Sequence, residues 1–175
     1  LKNGSCGRYE AVKAVVDSLG PNDRVSLVTF GEKIYRSSAY ETAANFLKSG
    51  MLSTDALCEI GDDTDFGIAL AKTEEIMLDA RLDSFKEVYF ISDGIDDRGV
   101  EEAKRIQQYA TISTLMLKGN DSVLKKNIAS KDANGDAIHV KVEEAAELTQ
   151  ALKELTESSL VSGTFSYNSD DSDLE

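Results

Sequence analysis

The chain has 175 residues, 41% of them hydrophobic, which is enough for one domain with a buried core and no need of staples. Its formal net charge is -13, from 32 acidic against 19 basic side chains, which argues against a nucleic-acid backbone as partner and favours cations or a basic protein surface. One histidine and two cysteines exclude a zinc cluster built within this chain, and no apolar run is long enough to span a bilayer.

In chain order, helical and extended patterns alternate. In "GRYEAVKAVVDSLG" the residues Ala11, Val12, Val15, Val16 and Leu19 recur at helical spacing, and Gly20 and Pro21 end the run. "DRVSLVTFG" reads as a short strand from Val25 to Phe30. "EKIYRS" follows after Gly31 and Glu32 as its hairpin partner. "SAYETAANFLKSG" holds a short helix. "TDFGIALAKTEEIMLDARLD" has strong helical periodicity through Phe66, Ala69, Leu70, Thr73, Ile76, Met77 and Ala80. Next come a strand in "KEVYFIS", a helix in "GVEEAKRIQQYA", a strand in "TISTLML", a helix in "DSVLKKNIAS", a strand in "DAIHVKV" and a helix in "EEAAELTQALKELTESSL". "DANGDA" lacks the spaced acids and closing Glu of a calcium loop and reads as a turn. This alternation predicts a three-layer α/β/α domain over residues 1–157, with a mostly parallel central sheet covered on both faces. Residues 158–175 read as a tail in which "GTFSY" could add a strand, followed by an acidic end. Because "VYFIS" is apolar on both faces, it is expected to be an interior strand.

In such a sheet, ligands bind beyond the carboxyl ends of the strands. Asp93 stands at that end of its strand in "VYFISDGIDD". The polar loops "GDDTDFG" and "NGSCG" each precede a helix and so converge on the same edge. Hard oxygen donors of this type suit Mg²⁺, Mn²⁺ or Ca²⁺. The alternative is that Thr64 and Asp93 cap loops and bond backbone amides. Asp96 and Asp97 could rim a ligand site but read better as a solvated acidic loop, and His139 reads as an ordinary strand histidine with no Cys or second His to join it. Cys6 and Cys58 permit one disulfide without requiring it.

The stretches "GRYEAVKAVVDSLGPNDRVSLVTFG", "GDDTDFGIALAKT" and "VYFISDG" resemble, in order and spacing, the von Willebrand factor type A domain family, over about Asn3 to Leu155. Family members carry a metal-ion-dependent adhesion site made by an Asp-x-Ser-x-Ser loop, a Thr and a second Asp. The resemblance places Asn3, Ser5, Thr64 and Asp93 as the metal ligands here. The family aspartate of the first loop is replaced by Leu1, and Asn3 replaces the first serine, so the implied Mg²⁺ (or Mn²⁺ or Ca²⁺) site is weak or absent. The apolar strand that should precede this loop is missing. Either the sequence begins late, or that strand lies on a separate piece, or "GTFSY" fills its slot. An open slot would invite strand complementation or a homodimer. The implied function is a non-enzymatic protein-binding or adhesion module that takes a partner through a carboxylate on the metal; type A domains occur both outside and inside cells, and an extracellular or cell-surface location is favoured over a cytoplasmic one. A metal-free scaffold in a multiprotein complex is the alternative, and a metal-dependent hydrolase is a third reading.

Overall fold

The computed structural model describes residues 7–58, 63–79, 85–93 and 95–157. Helix α1 (Gly7–Ser18) leads to two short antiparallel pairings: β1 (Arg24–Val25) with β4 (Glu41–Thr42), and β2 (Val28–Phe30) with β3 (Ile34–Ser37). The second pair is the expected hairpin, with a register shift between Thr29 and Phe30. Helix α2 (Ala43–Lys48) is capped by Thr42, whose hydroxyl accepts from the Asn45 amide. Helices α3 (Thr54–Cys58) and α4 (Phe66–Leu78) follow.

The second half of the chain is a parallel ladder. Strand β5 (Glu87–Ser92) pairs with β6 (Thr111–Leu117) from Glu87↔Thr111 to Ser92↔Met116. Strand β7 (His139–Val142) pairs with the other edge of β6 from Thr114↔His139 to Leu117↔Val142. Helix α5 (Val100–Ile106) connects β5 to β6, and a π-helical turn (Leu124–Ile128) lies between β6 and β7. A 3₁₀ turn (Ala145–Glu147) then feeds helix α6 (148–157). "DANGDA" is the expected turn: Asp132 Oδ1 accepts from the amides of Asn134 and Asp136, and Gly135 takes a φ of +84°.

Two apolar clusters make this a three-layer α/β fold, with helices flanking a sheet of mixed parallel and antiparallel strands. On one face Val88 and Phe90 of β5 and Ile112 and Met116 of β6 pack with Leu70 of α4 and Ile106 of α5. On the other face Leu115 and Val142 pack with Ala11 of α1 and Leu148 and Leu152 of α6. Strand β5 shows the alternation directly: Val88, Phe90 and Ser92 are buried, while Tyr89 and Ile91 pack against the second cluster. The rings of Phe30, Phe66 and Phe90 meet edge-on or tilted, with Phe30–Phe90 centroids 5.3 Å apart and Phe66–Phe90 centroids 5.2 Å apart. They bring the β2 hairpin and the start of α4 against β5.

The strand expected inside the sheet, β5, has one laddered neighbour among the described residues, β6, and the strand paired on both sides is β6. Apolar residues on both faces of "VYFIS" report the helix layers above and below the sheet, not strands to left and right. Those two kinds of neighbour leave the same sequence pattern. Residues 158–175, including "GTFSY", lie outside the described residues, as do Asn3 and Ser5.

His139 does more than fill a strand. Its Nδ1 is 2.7 Å from Thr114 Oγ1 and its Nε2 is 3.0 Å from Asp121 Oδ2, with a side chain only 4% exposed. Thr114 is fully buried, so this chain of polar groups ties β6, β7 and the loop after β6 together.

Truncating Phe90, buried against Phe30 and Phe66, is expected to cost about 3–5 kcal/mol. Leu47→Ala, at a side chain 47% exposed, should stay within about 0.5 kcal/mol. Urea unfolding of the two variants checks the contrast.

Candidate binding edge at the carboxyl ends of the strands

Three segments meet beyond the carboxyl ends of β2 and β5. The first is the loop 63–65 that opens α4. Asp65 is the helix N-cap, and its Oδ1 accepts from the Ile68 amide at 3.1 Å. The Asp65 amide donates to Gly31 O at 2.9 Å, which pins this loop to the end of β2. Gly31 is required there, since a Cβ would stand 2.9 Å from Asp63 O.

The second segment is the loop 95–99 after β5. Asp96 is buried, at 8% exposure, and its Oδ2 accepts from the Phe66 amide at 2.6 Å. Its Oδ1 accepts from Arg98 Nε at 2.8 Å and from the Arg98 amide at 3.3 Å. Arg98 then reaches across to donate to Asp65 Oδ2 at 2.7 Å and to Thr64 O at 2.9 Å. One carboxylate and one guanidinium thus lock two loops thirty residues apart into one surface. Gly99, at φ +89°, permits the close approach: a Cβ there would meet Leu70 Cδ1 at 2.8 Å and Phe66 O at 3.0 Å. Burial works to raise the Asp96 pKa, but the bonds from Arg98 and from the Phe66 and Arg98 amides outweigh it and leave it lowered.

The third segment is the start of α1. Arg8 Nη2 donates to Asp93 Oδ2 at 2.6 Å, and Nη1 lies 3.5 Å from Leu57 O at the end of α3. Beside Leu57, Cys58 is disulfide-bonded. The sequence has one other cysteine, Cys6, which is outside the described residues.

The residues expected as ligands are therefore placed as follows. Asp93 stands at the end of β5, 54% exposed, with Arg8 as its partner. Thr64 lies in the loop before α4, its carbonyl held by Arg98 and its amide bonded to Asp63 Oδ1 at 2.8 Å. No hydrogen bond joins Thr64 to Asp93. Mg²⁺ requires near-octahedral oxygen donors at about 2.0–2.1 Å. Two of the four expected donors fall outside the described residues, and the Asp93 carboxylate already carries a guanidinium. Among the described residues no three His, Cys, Asp or Glu side chains are grouped to hold a metal. Among the described residues Asp93 and Thr64 are the expected donors that could hold a divalent ion, and Arg8 occupies the Asp93 carboxylate.

Asp96 corrects a reading: it is a buried brace, not part of a solvated loop. Asp97 beside it is exposed, as expected. Arg8 and Arg98 were not singled out as site residues from the sequence. For Arg98 a signal existed, because it is the one base in a loop of acids. Next to this surface, Asp65, Gly67, Ile68, Asp97, Arg98 and Glu101 line an open groove of about 590 Å³ between α4 and α5. Ile95, in the loop after β5, is 62% exposed.

This arrangement of layers and loops is the fold of the von Willebrand factor type A domain. Among solved structures, the proximal thread matrix protein 1 (PTMP1) from the mussel byssus is similar, with a TM-score of 0.69 and 19% identity, over 85% of this chain and 40% of that one. A second structure of that protein, described as having a zinc-occupied MIDAS motif, gives a TM-score of 0.66 at 19% identity, over 85% and 41% of the two chains. A von Willebrand factor type A structure from Catenulispora acidiphila gives 0.61 at 14% identity, over 86% and 37%. The chain spans about 40% of the length of the mussel protein. At these identities the likeness establishes the fold, and none of these proteins is named as an enzyme. No protein-family model and no curated protein matches the sequence.

The lowered Asp96 pKa has a sign that can be tested. Its contribution to stability is fully present above its unfolded value, near pH 3.9, and is lost as pH falls through the lower folded value. Asp96→Asn should cost about 1.5–3 kcal/mol at neutral pH, the range for hydrogen bonds to a charged group. It should also flatten the acid limb of the stability profile, measured by denaturant unfolding between pH 2 and 7.

Proposed function

We propose that this chain is a non-enzymatic protein-binding module that takes its partner on the edge formed by the start of α1 and the loops 63–65 and 93–99. The observation that carries this is the Asp96–Arg98 clamp, which holds loops from separate parts of the chain as one preassembled surface with Ile95 exposed in the loop after β5. A rigid polar surface with an apolar anchor suits recognition of a folded partner. In the metal-bearing form of this reading, Mg²⁺, Mn²⁺ or Ca²⁺ would sit against Asp93 and Thr64, with Asn3 and Ser5 adding oxygens and a partner carboxylate completing the shell. Occupancy would be weak, since Asp93 supplies the only full negative charge among those four. The zinc-occupied motif named for the mussel protein supports metal use by a chain of this fold.

The metal-free form has its own support, namely the Arg8–Asp93 ion pair, which neutralises the carboxylate without any ion. A disulfide at Cys58 accords with an extracellular or cell-surface setting. No helix among the described residues is long and apolar enough to cross a membrane.

Affinity capture from the extracellular fraction of the source tests the location of binding. A partner held by the wild-type chain should be lost with Ile95→Asp and retained by Leu78→Asp, whose side chain is exposed at the far end of α4. A partner lost only with Leu78→Asp would move the interface to the opposite end of the sheet. If the metal-bearing form holds, EDTA and Asp93→Ala should each release the partner.

A further inference from the structure

Arg8 occupies an electrostatically unfavourable position. It lies in the first turn of α1, where the helix dipole and the unbonded amides favour anions and disfavour a cation. Nothing in helix formation explains a guanidinium there. Its contacts do: Nη2 is 2.6 Å from Asp93 Oδ2, and Nη1 faces the Leu57 carbonyl. The side chain is 27% exposed, so it is held against the edge instead of extending into water.

We propose that Arg8 is the built-in cation of this edge, and that it and a divalent metal ion compete for the Asp93 carboxylate. A guanidinium bonded to Oδ2 satisfies the charge that would otherwise draw in an ion. It also repels a dication brought to the same carboxylate, an effect that solvent and salt screen in part because the pair is exposed. The pair is partly exposed on both sides, so it is displaceable, not a permanent seal. The edge of this chain is consequently set to work without metal at ordinary ion concentrations, and Arg8 is the residue that determines this.

Calorimetric titration of the purified chain with Mn²⁺ alone tests the competition. Because no partner is present, failure here is distinguishable from failure of the binding reading, on which the importance of the edge rests. Arg8→Gln should bind Mn²⁺ at least about tenfold more tightly than wild type, within the usual span of coupling between two sites. Arg8→Lys keeps a positive charge and should behave like wild type. The gain should vanish in the double variant Arg8→Gln with Asp93→Asn. Thermal melts with and without Mn²⁺ give the second readout: the ion should raise the melting temperature of folded Arg8→Gln and leave wild type unchanged. Equal Mn²⁺ affinity in wild type and Arg8→Gln, or no binding by either, overturns the proposal. So does a gain that survives loss of the Asp93 charge.

Discussion

The buried carboxylate of Asp96 is the constraint on which the binding edge depends. A charge this far from water is costly unless its acceptor sites are filled. Here they are filled by the first amide of α4, by a neighbouring amide and by the Arg98 guanidinium. The same guanidinium continues to Asp65 and to the carbonyl of Thr64. The start of α4, the loop after β5 and the end of β2 are therefore one mechanical unit. Remove the carboxylate, and the Phe66 amide and the guanidinium both lose their anchor.

Below that edge the fold is held by ordinary packing. Phe30, Phe66 and Phe90 bring the hairpin, α4 and β5 to one point, directly beneath the loops that Asp96 joins. The charged brace and the aromatic cluster share Phe66: its ring is in the core and its amide is on the carboxylate. Core and surface are in this way coupled through one residue, which makes the placement of the loops a property of the fold rather than of the loops alone.

Much of this was legible in the sequence, and the division is physical. The β2–β3 hairpin, α4 and the β5–β6–β7 order follow from apolar period and from turn residues, which are local signals. The carboxyl-end position of Asp93 and the loop position of Thr64 follow from the same pattern. What was not legible depends on residues distant in the chain. Nothing near Asp96 shows that it is buried, because its main partner is the amide of Phe66 in another loop. Nothing near Arg8 shows that it will meet Asp93, which lies 85 residues away. The two apolar faces of β5 are covered by helix layers, so they do not by themselves report its position within the sheet.

The most direct test of a preassembled edge braced by Asp96 is native-state hydrogen exchange of the wild-type chain and of Asp96→Ala, read at single amides. The Phe66 amide and the Arg98 amide should be protected together in the wild type. Both should exchange far faster in the variant, while Leu115 and Met116 in β6 keep their protection. Unchanged protection at Phe66 in the variant, with β6 intact, would contradict the account and leave the loops held by something other than this carboxylate.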